Sequence, residues 1–193
     1  SKYDPNDILS NNKTLVTYSE FVNKELIHFS NADLLRSIAV MGDGLKPSTR
    51  KILYGAFRRG ANAEEIKVSQ FSGYIAQHTE YHHGEASLQG AIIGMAQNFS
   101  GSNNINYLLP SGNFGYRRQM GKDHASPRYI FTNLNKLMTK VFRVEDNPVL
   151  EYVEEDGSTI EPTVYAPIIQ MVLVNGTEGI GTGYSTKIQP YNP

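Results

Sequence analysis

The chain has 193 residues, enough for one well-buried core or one domain and the start of a second, and too few for a multi-domain machine. Hydrophobic residues make up 39% and charged residues 19%, with no apolar run of membrane-spanning length and no signal-peptide pattern, so no membrane role is expected. Zero cysteines exclude disulfides and thiolate metal sites and fit a reducing intracellular compartment, while a formal net charge of −1 argues by itself against a phosphate-binding protein.

That average conceals a segregation of charge. Arg36 to Arg59 holds six bases against Asp43 alone, and Tyr116 to Arg143 holds seven against Asp123 alone. Val144 to Glu161 then carries seven acids and no base. Such runs are commonly solvated faces, but two basic blocks leave room for a polyanion.

Read in order, the chain starts at Ser1 rather than methionine, which suggests a piece of a longer protein with residues 1–16 as a linker. Apolar residues from Phe21 to Ile38 recur at helical spacing, and Ser30 and Asn31 can cap, so two consecutive helices are predicted there. After Gly42, Gly44 and Pro47, the residues Ile52, Leu53, Ala56 and Phe57 predict a short helix ringed by Arg50, Lys51, Arg58 and Arg59. Further helices are predicted over Lys67 to Gln77 and Gly84 to Phe99. The second has a small or polar side formed by Ser87, Gly90, Gly94 and Gln97, and because helical glycines cost about 1 kcal/mol each, something bulky is expected close to it.

Ser100 to Tyr129, rich in glycine, asparagine and tyrosine, predicts turns and a β-wing. Ile130 to Phe142 returns to helical spacing, with Ser126 and Pro127 or Thr132 at its start, which places Tyr129 at or just before a helix N-terminus. Pro162 to Val174 predicts a strand, and the glycine-spaced Asn175 to Tyr184 a tight loop. Helices, then a wing, then a helix is the order of a winged-helix DNA-binding domain, so the predicted class is α+β.

Four stretches can carry chemistry. Tyr81-His82-His83-Gly84-Glu85 sets two imidazoles before a helix, where a histidine can donate to a phosphate; adjacent histidines with no third ligand make a poor metal site. Around Tyr129, Lys122 and Arg128 supply the charge that a phenol with a pKa of about 10 needs to act as a nucleophile on phosphate. Gly42 to Lys51 can form a phosphate-binding turn into a helix, although it lacks Walker spacing. Ile180, bare between glycines, can act as an apolar wedge between base steps.

Five motifs in order resemble the breakage-reunion region of the type IIA DNA topoisomerases from about Thr17 to Pro193. They are Asp43-Gly44-Leu45-Lys46-Pro47 with Arg50-Lys51, Tyr81-His82-His83-Gly84-Glu85, Ala96-Gln97-Asn98-Phe99 leading to Gly101-Ser102-Asn103-Asn104, Ala125-Ser126-Pro127-Arg128-Tyr129, and Glu178-Gly179-Ile180-Gly181-Thr182-Gly183. The His-His-Gly-Glu form is similar to the eukaryotic-type enzymes, which large DNA viruses also carry, more than to gyrase.

The resemblance implies that Tyr129 forms a transient 5′-phosphotyrosine link, with Arg128 as transition-state stabiliser. It implies that His83, Arg36 and Lys46 lie about the scissile phosphate, that Arg50 contacts the backbone and that Ile180 intercalates. Lys51, His82, Ser87, Lys122 and Ser126 complete the expected DNA-binding set. It also implies a winged-helix cleavage domain over residues 17–167 and the β-rich start of a tower domain over 168–193. Double-stranded DNA and a second copy are the implied partners, inside the cell, in the nucleus or at a viral replication site. Magnesium and ATP are implied on metal-binding and ATPase domains outside this segment, so the segment alone is expected to be nearly inactive. Two rivals remain from the residues alone: a non-enzymatic winged-helix DNA-binding module in which Tyr129 only packs, and a hydrolase built on His82 and His83.

Overall fold

The computed structural model describes residues 3–193. Of the linker expected over 1–16, residues 1 and 2 lie outside the described ones. The remainder has no helix or strand but is tied down: the Tyr3 hydroxyl meets His28 Nδ1 at 3.1 Å, and Lys24 donates to Asp7 at 2.6 Å.

Residues 18–37 form one helical rod rather than two helices. It runs through α1 (Tyr18–Phe21), a π-helical turn (Val22–Leu26) and α2 (Ile27–Ser37). Its start is a reciprocal cap in which Thr17 Oγ1 accepts from the Glu20 amide and Glu20 accepts from the Thr17 amide. With that cap upstream, Ser30 and Asn31 lie inside α2, and the extra residue accommodated by the π turn replaces the expected break.

The centre is three helices on a small sheet. Helix α3 (Pro47–Arg59) starts with proline at its first turn, where a missing N–H costs nothing, and buries Ile52, Leu53 and Ala56. Helices α4 (Val68–Thr79) and α5 (Glu85–Ala96) add Phe71, Ile75, Leu88 and Ile92 to the same core. Against them lies an antiparallel sheet of β1 (Ile66–Lys67), β3 (Phe131–Leu134) and β2 (Leu108–Ser111), with β3 in the middle. This is the winged-helix arrangement expected of the α+β class.

The helix expected over Ile130 to Phe142 is therefore split: Phe131–Leu134 is strand β3, and only α6 (Met138–Val141) is helical. Ile130, Leu134, Met138 and Val141 satisfy a helical period, but Thr132 and Leu134 also satisfy the two-residue period, and pairing with β1 and β2 on both sides decides the matter. Tyr129 consequently precedes a strand, not a helix.

Beyond α6 the acidic block forms a 3-10 turn (Val144–Val149) and a hairpin, β4 (Tyr152–Glu155) with β5 (Ser158–Pro162). The strand expected over Pro162 to Val174 is confined to the end of β5, and Met171–Asn175 is instead a short helix, α7. The expected tight loop after it is a second hairpin, β6 (Thr177–Gly181) with β7 (Tyr184–Ile188). Met171 and Val174 are buried in the same core as α3 to α5, and the Asn175 side chain exchanges hydrogen bonds with both backbone groups of Ile105.

One buried ion pair joins these parts. Asp43 has no exposed surface, and Arg50 donates to it from Nε at 2.7 Å and from Nη2 at 3.0 Å. The same carboxylate accepts the amides of Leu45 and Tyr165, each at 3.0 Å. Arg50, expected as a surface contact to the DNA backbone, is instead buried, with its Nε and Nη2 engaged inside the protein by Asp43 and the Leu45 carbonyl. Truncating either partner leaves an unpaired buried charge, and Asp43→Ala or Arg50→Ala should each lower stability by about 3–5 kcal/mol. Urea unfolding measures this; a loss under about 1 kcal/mol would contradict it.

Candidate nucleic-acid interface

A cleft of about 760 Å³ opens where the α4–α5 turn, the start of α3, the end of α2 and β6 meet. Arg36, Lys46, Lys51, His82, His83, Ser87 and Ile180 all line it, so residues 144 positions apart in the chain are gathered at one place. Lys46 extends into it and donates to the Glu178 carbonyl at 2.9 Å. His83 stands edge-on to Tyr81, with ring centroids 5.4 Å apart. Lys51 is turned inward: its ammonium reaches Glu161 at 2.9 Å and the Thr79 carbonyl, so it serves as an anchor more than as a free charge.

Ile180 is placed by its glycine neighbours. A Cβ on Gly179 would sit 2.1 Å from the Ser37 carbonyl oxygen, and one on Gly181 2.7 Å from the Leu34 side chain. The glycine edge of β6 therefore lies directly on α2, and strand alternation turns Ile180 the opposite way, 77% exposed. Asp33 locks this contact. Its carboxylate accepts from the Thr182 amide and hydroxyl, each at 2.8 Å, and from Arg36 at 2.8 Å. Sequence reasoning missed Asp33; the Asp33–Arg36 spacing of one helical turn was visible, but Thr182 was not.

Tyr129 occupies a different place. It is 70% exposed on the turn Ser126 to Tyr129, closed by the Tyr129 amide donating to the Ser126 carbonyl at 2.9 Å. Lys122, Ser126, Arg128 and Tyr129 are all exposed, and none of them lines the cleft. The turn is nonetheless rigidly referenced to it. The carbonyls of Pro127 and Ile130 accept from Ser69 and Val68, the first amides of α4, while buried Ile130 anchors the chain just after Tyr129. Gln97, capping α5, donates to the carbonyls of Phe114 and Gly121 and so fixes the loop that carries Lys122. The α4–α5 pair therefore holds the histidine cleft at its turn and the Tyr129 turn at its other end. The 12 residues of α5 span roughly 18 Å. Along that helix, side chains added at Gly90 or Gly94 would meet nothing within 4 Å, so among the described residues none supplies the bulky neighbour expected there.

Among the described residues, no three His, Asp or Glu side chains are grouped as a metal site, and no helix is long and apolar enough to cross a membrane.

Residues 36–193 match the family model of the DNA gyrase/topoisomerase IV A subunits. The chain belongs to this family, the type IIA DNA topoisomerases. It is 58% identical over its whole length to DNA topoisomerase 2 of Arabidopsis thaliana, and 52% identical over 99% of its length to that of Acanthamoeba polyphaga mimivirus. The chain spans only 13% and 15% of those two relatives. Its fold matches a crystal structure of the Plasmodium falciparum topoisomerase II DNA-binding, cleavage and re-ligation domain, with TM-score 0.85 and 52% identity over 96% of this chain and 25% of that one. Membership bears out the motif resemblance, including its eukaryotic-type and viral character.

The hydrogen bonds from Thr182, and then the charge of Arg36, hold the Asp33 carboxyl below the ordinary aspartate value of 3.8. A lowered folded value means that the contact stabilises the hairpin above the ordinary range and is lost as pH falls through the lowered value. The Thr182 amide resonance should titrate with a midpoint below 3.8. In Asp33→Ala it should already be displaced at neutral pH; a resonance that titrates above about pH 5, outside the aspartate range, would contradict the assignment.

Proposed function

We propose that this segment binds a DNA duplex and carries the nucleophile that cleaves and rejoins one of its strands, within a full-length type IIA topoisomerase that passes another duplex through the break. The observation that carries the reading is the joint placement, on one α4–α5 pair, of a cationic cleft and a solvent-facing Arg128-Tyr129 turn. Along the duplex axis the phosphates of one strand advance about 3.4 Å each, so the roughly 18 Å of α5, laid along that axis, covers about five of them. A duplex along the open glycine side of α5 can then meet both ends.

In this reading Arg36, Lys46 and His83 hold the backbone in the cleft, with His82 and Ser87 beside them, while Lys122 and Ser126 serve the other end. The Tyr129 oxygen bonds to phosphorus as the bond to the 3′ oxygen breaks, giving a 5′-phosphotyrosine link. The phenolic proton leaves, and the 3′ oxygen gains a proton to become a hydroxyl. Arg128 forks onto the non-bridging oxygens where negative charge accumulates. Reversal reseals the strand. Ile180, exposed and backed by α2, is placed to enter a base step and bend the duplex.

The remaining assignments follow from the same reading. Residues 17–167 form the winged-helix cleavage domain, and 168–193 begin a tower domain. A second copy cuts the opposite strand, and the protein acts in the nucleus or at a viral replication site. Magnesium and ATP belong to other portions of the full-length protein. Glu80, Glu155 and Glu178 line the cleft beside its cations and imidazoles, but among the described residues they are not grouped as a metal site, so this donor set does not fit magnesium, which takes clustered oxygen ligands.

The rival of a non-enzymatic DNA-binding module gains nothing from the geometry, because Tyr129 is not packed. In the full-length protein with magnesium and a duplex, quenching with detergent should trap a covalent adduct. Tyr129→Phe should abolish that adduct while changing duplex affinity less than about twofold, and Arg128→Ala should reduce it by about 10²–10³, the range for losing one stabilising donor. No adduct from the wild type would overturn the cleavage assignment in favour of the rival.

A further inference from the structure

The cleft that gathers the cations also contains a carboxylate that does not belong to a phosphate site. Glu155, the last residue of β4, lines it, and its Oε1 lies 3.3 Å from His82 Nε2. Resting on the reading of this cleft as a phosphate site, we infer that Glu155 is a built-in competitor, occupying His82 in the DNA-free protein and yielding it to a DNA phosphate on binding.

The competitor is held in position and does not hang on a loose loop. Glu155 pairs with Ser158 across a two-residue connection, Asp156-Gly157, whose φ values of +48° and +77° make it the tight hairpin turn that suits twisted strands. The root of the hairpin is fastened by buried Glu161 on β5, which is salt-bridged to Lys51 on α3 at 2.9 Å. The cation expected to contact DNA thus secures the strand that delivers the carboxylate.

When its Nε2 carries a proton, His82 has only that one to donate from this nitrogen, so it serves either Glu155 or a phosphate oxygen. A phosphate entering beside Glu155 also meets a like charge. The pair is substantially exposed, with side-chain exposures of 64% for His82 and 37% for Glu155, so the contact is weak enough for a duplex to displace. It nevertheless favours a ligand that engages several cations together over an isolated anion. Glu154, one residue earlier, is exposed on the opposite face of the strand and does not share the contact.

The test uses the full-length protein, titrated with a fluorescein-labelled duplex at one fixed low salt concentration. Glu155→Gln should bind about two- to fivefold more tightly than wild type, the fold-change equivalent of one exposed charge pair. The gain should disappear in a His82→Ala background, and Glu154→Gln should bind as wild type does. Unchanged affinity in Glu155→Gln, an equal gain from Glu154→Gln, or a gain that survives His82→Ala would each overturn the inference while leaving the DNA reading intact. Failure of every variant and of the wild type to bind duplex would overturn the phosphate reading of the cleft, and this inference with it.

Discussion

A carboxylate with no exposed surface is costly to build into a protein, and Asp43 is tolerated because four donors surround it. Those donors come from three places: the turn at Leu45, the first helical turns of α3 at Arg50, and Tyr165 beyond the acidic hairpin. The pair therefore fixes the entry of α3, which carries Lys46 at its cap, and ties the C-terminal part of the chain to it. A hydrophobic core can slide and repack; a buried bidentate ion pair accepts one geometry.

From that centre, the two ends of the proposed interface are set by different means. The cleft is assembled from long-range contacts: Asp33 to Thr182, Lys46 to the Glu178 carbonyl, Lys51 to Glu161. The Tyr129 turn is set by backbone, with its carbonyls capping the first amides of α4. A carbonyl bound to a helix N-terminus is difficult to displace, so Tyr129 projects from a rigid base even though its own side chain is free in solvent. Tyr129 is thus positioned by contacts other than those that assemble the cleft.

The legibility of the sequence divides along the same line. The five motifs identified the family, and the periodicity of α3, α4 and α5 was strong because each buries an uninterrupted apolar face. The segment Ile130 to Val141 misleads because its apolar positions satisfy two periods at once, and only pairing with strands distant in sequence selects one. Arg50 resembles a surface base in the sequence because its partner Asp43 lies seven positions away on an irregular turn, outside any helical spacing. The partners of Asp33, Gln97 and Glu155 were hidden for the same reason: Thr182, the Phe114 and Gly121 carbonyls, and His82 are brought near by the fold alone.

Glycine illustrates how far the same letter can diverge in meaning. At Gly179 and Gly181 a side chain would collide with α2, so the absence of Cβ lets one element of this chain touch another. At Gly90 and Gly94 an added methyl group would meet nothing within 4 Å among the described residues, although Asn103 donates to the Gly94 carbonyl at 2.7 Å. The first pair fulfils an internal packing need, and its consequence is the outward exposure of Ile180. The second pair has no internal need to fulfil, although helical glycine costs about 1 kcal/mol relative to alanine. Packing within the segment therefore accounts for the first pair and not for the second. The open side of α5 lies between the cationic cleft and the Tyr129 turn, which is where a duplex spanning both would have to approach the helix backbone.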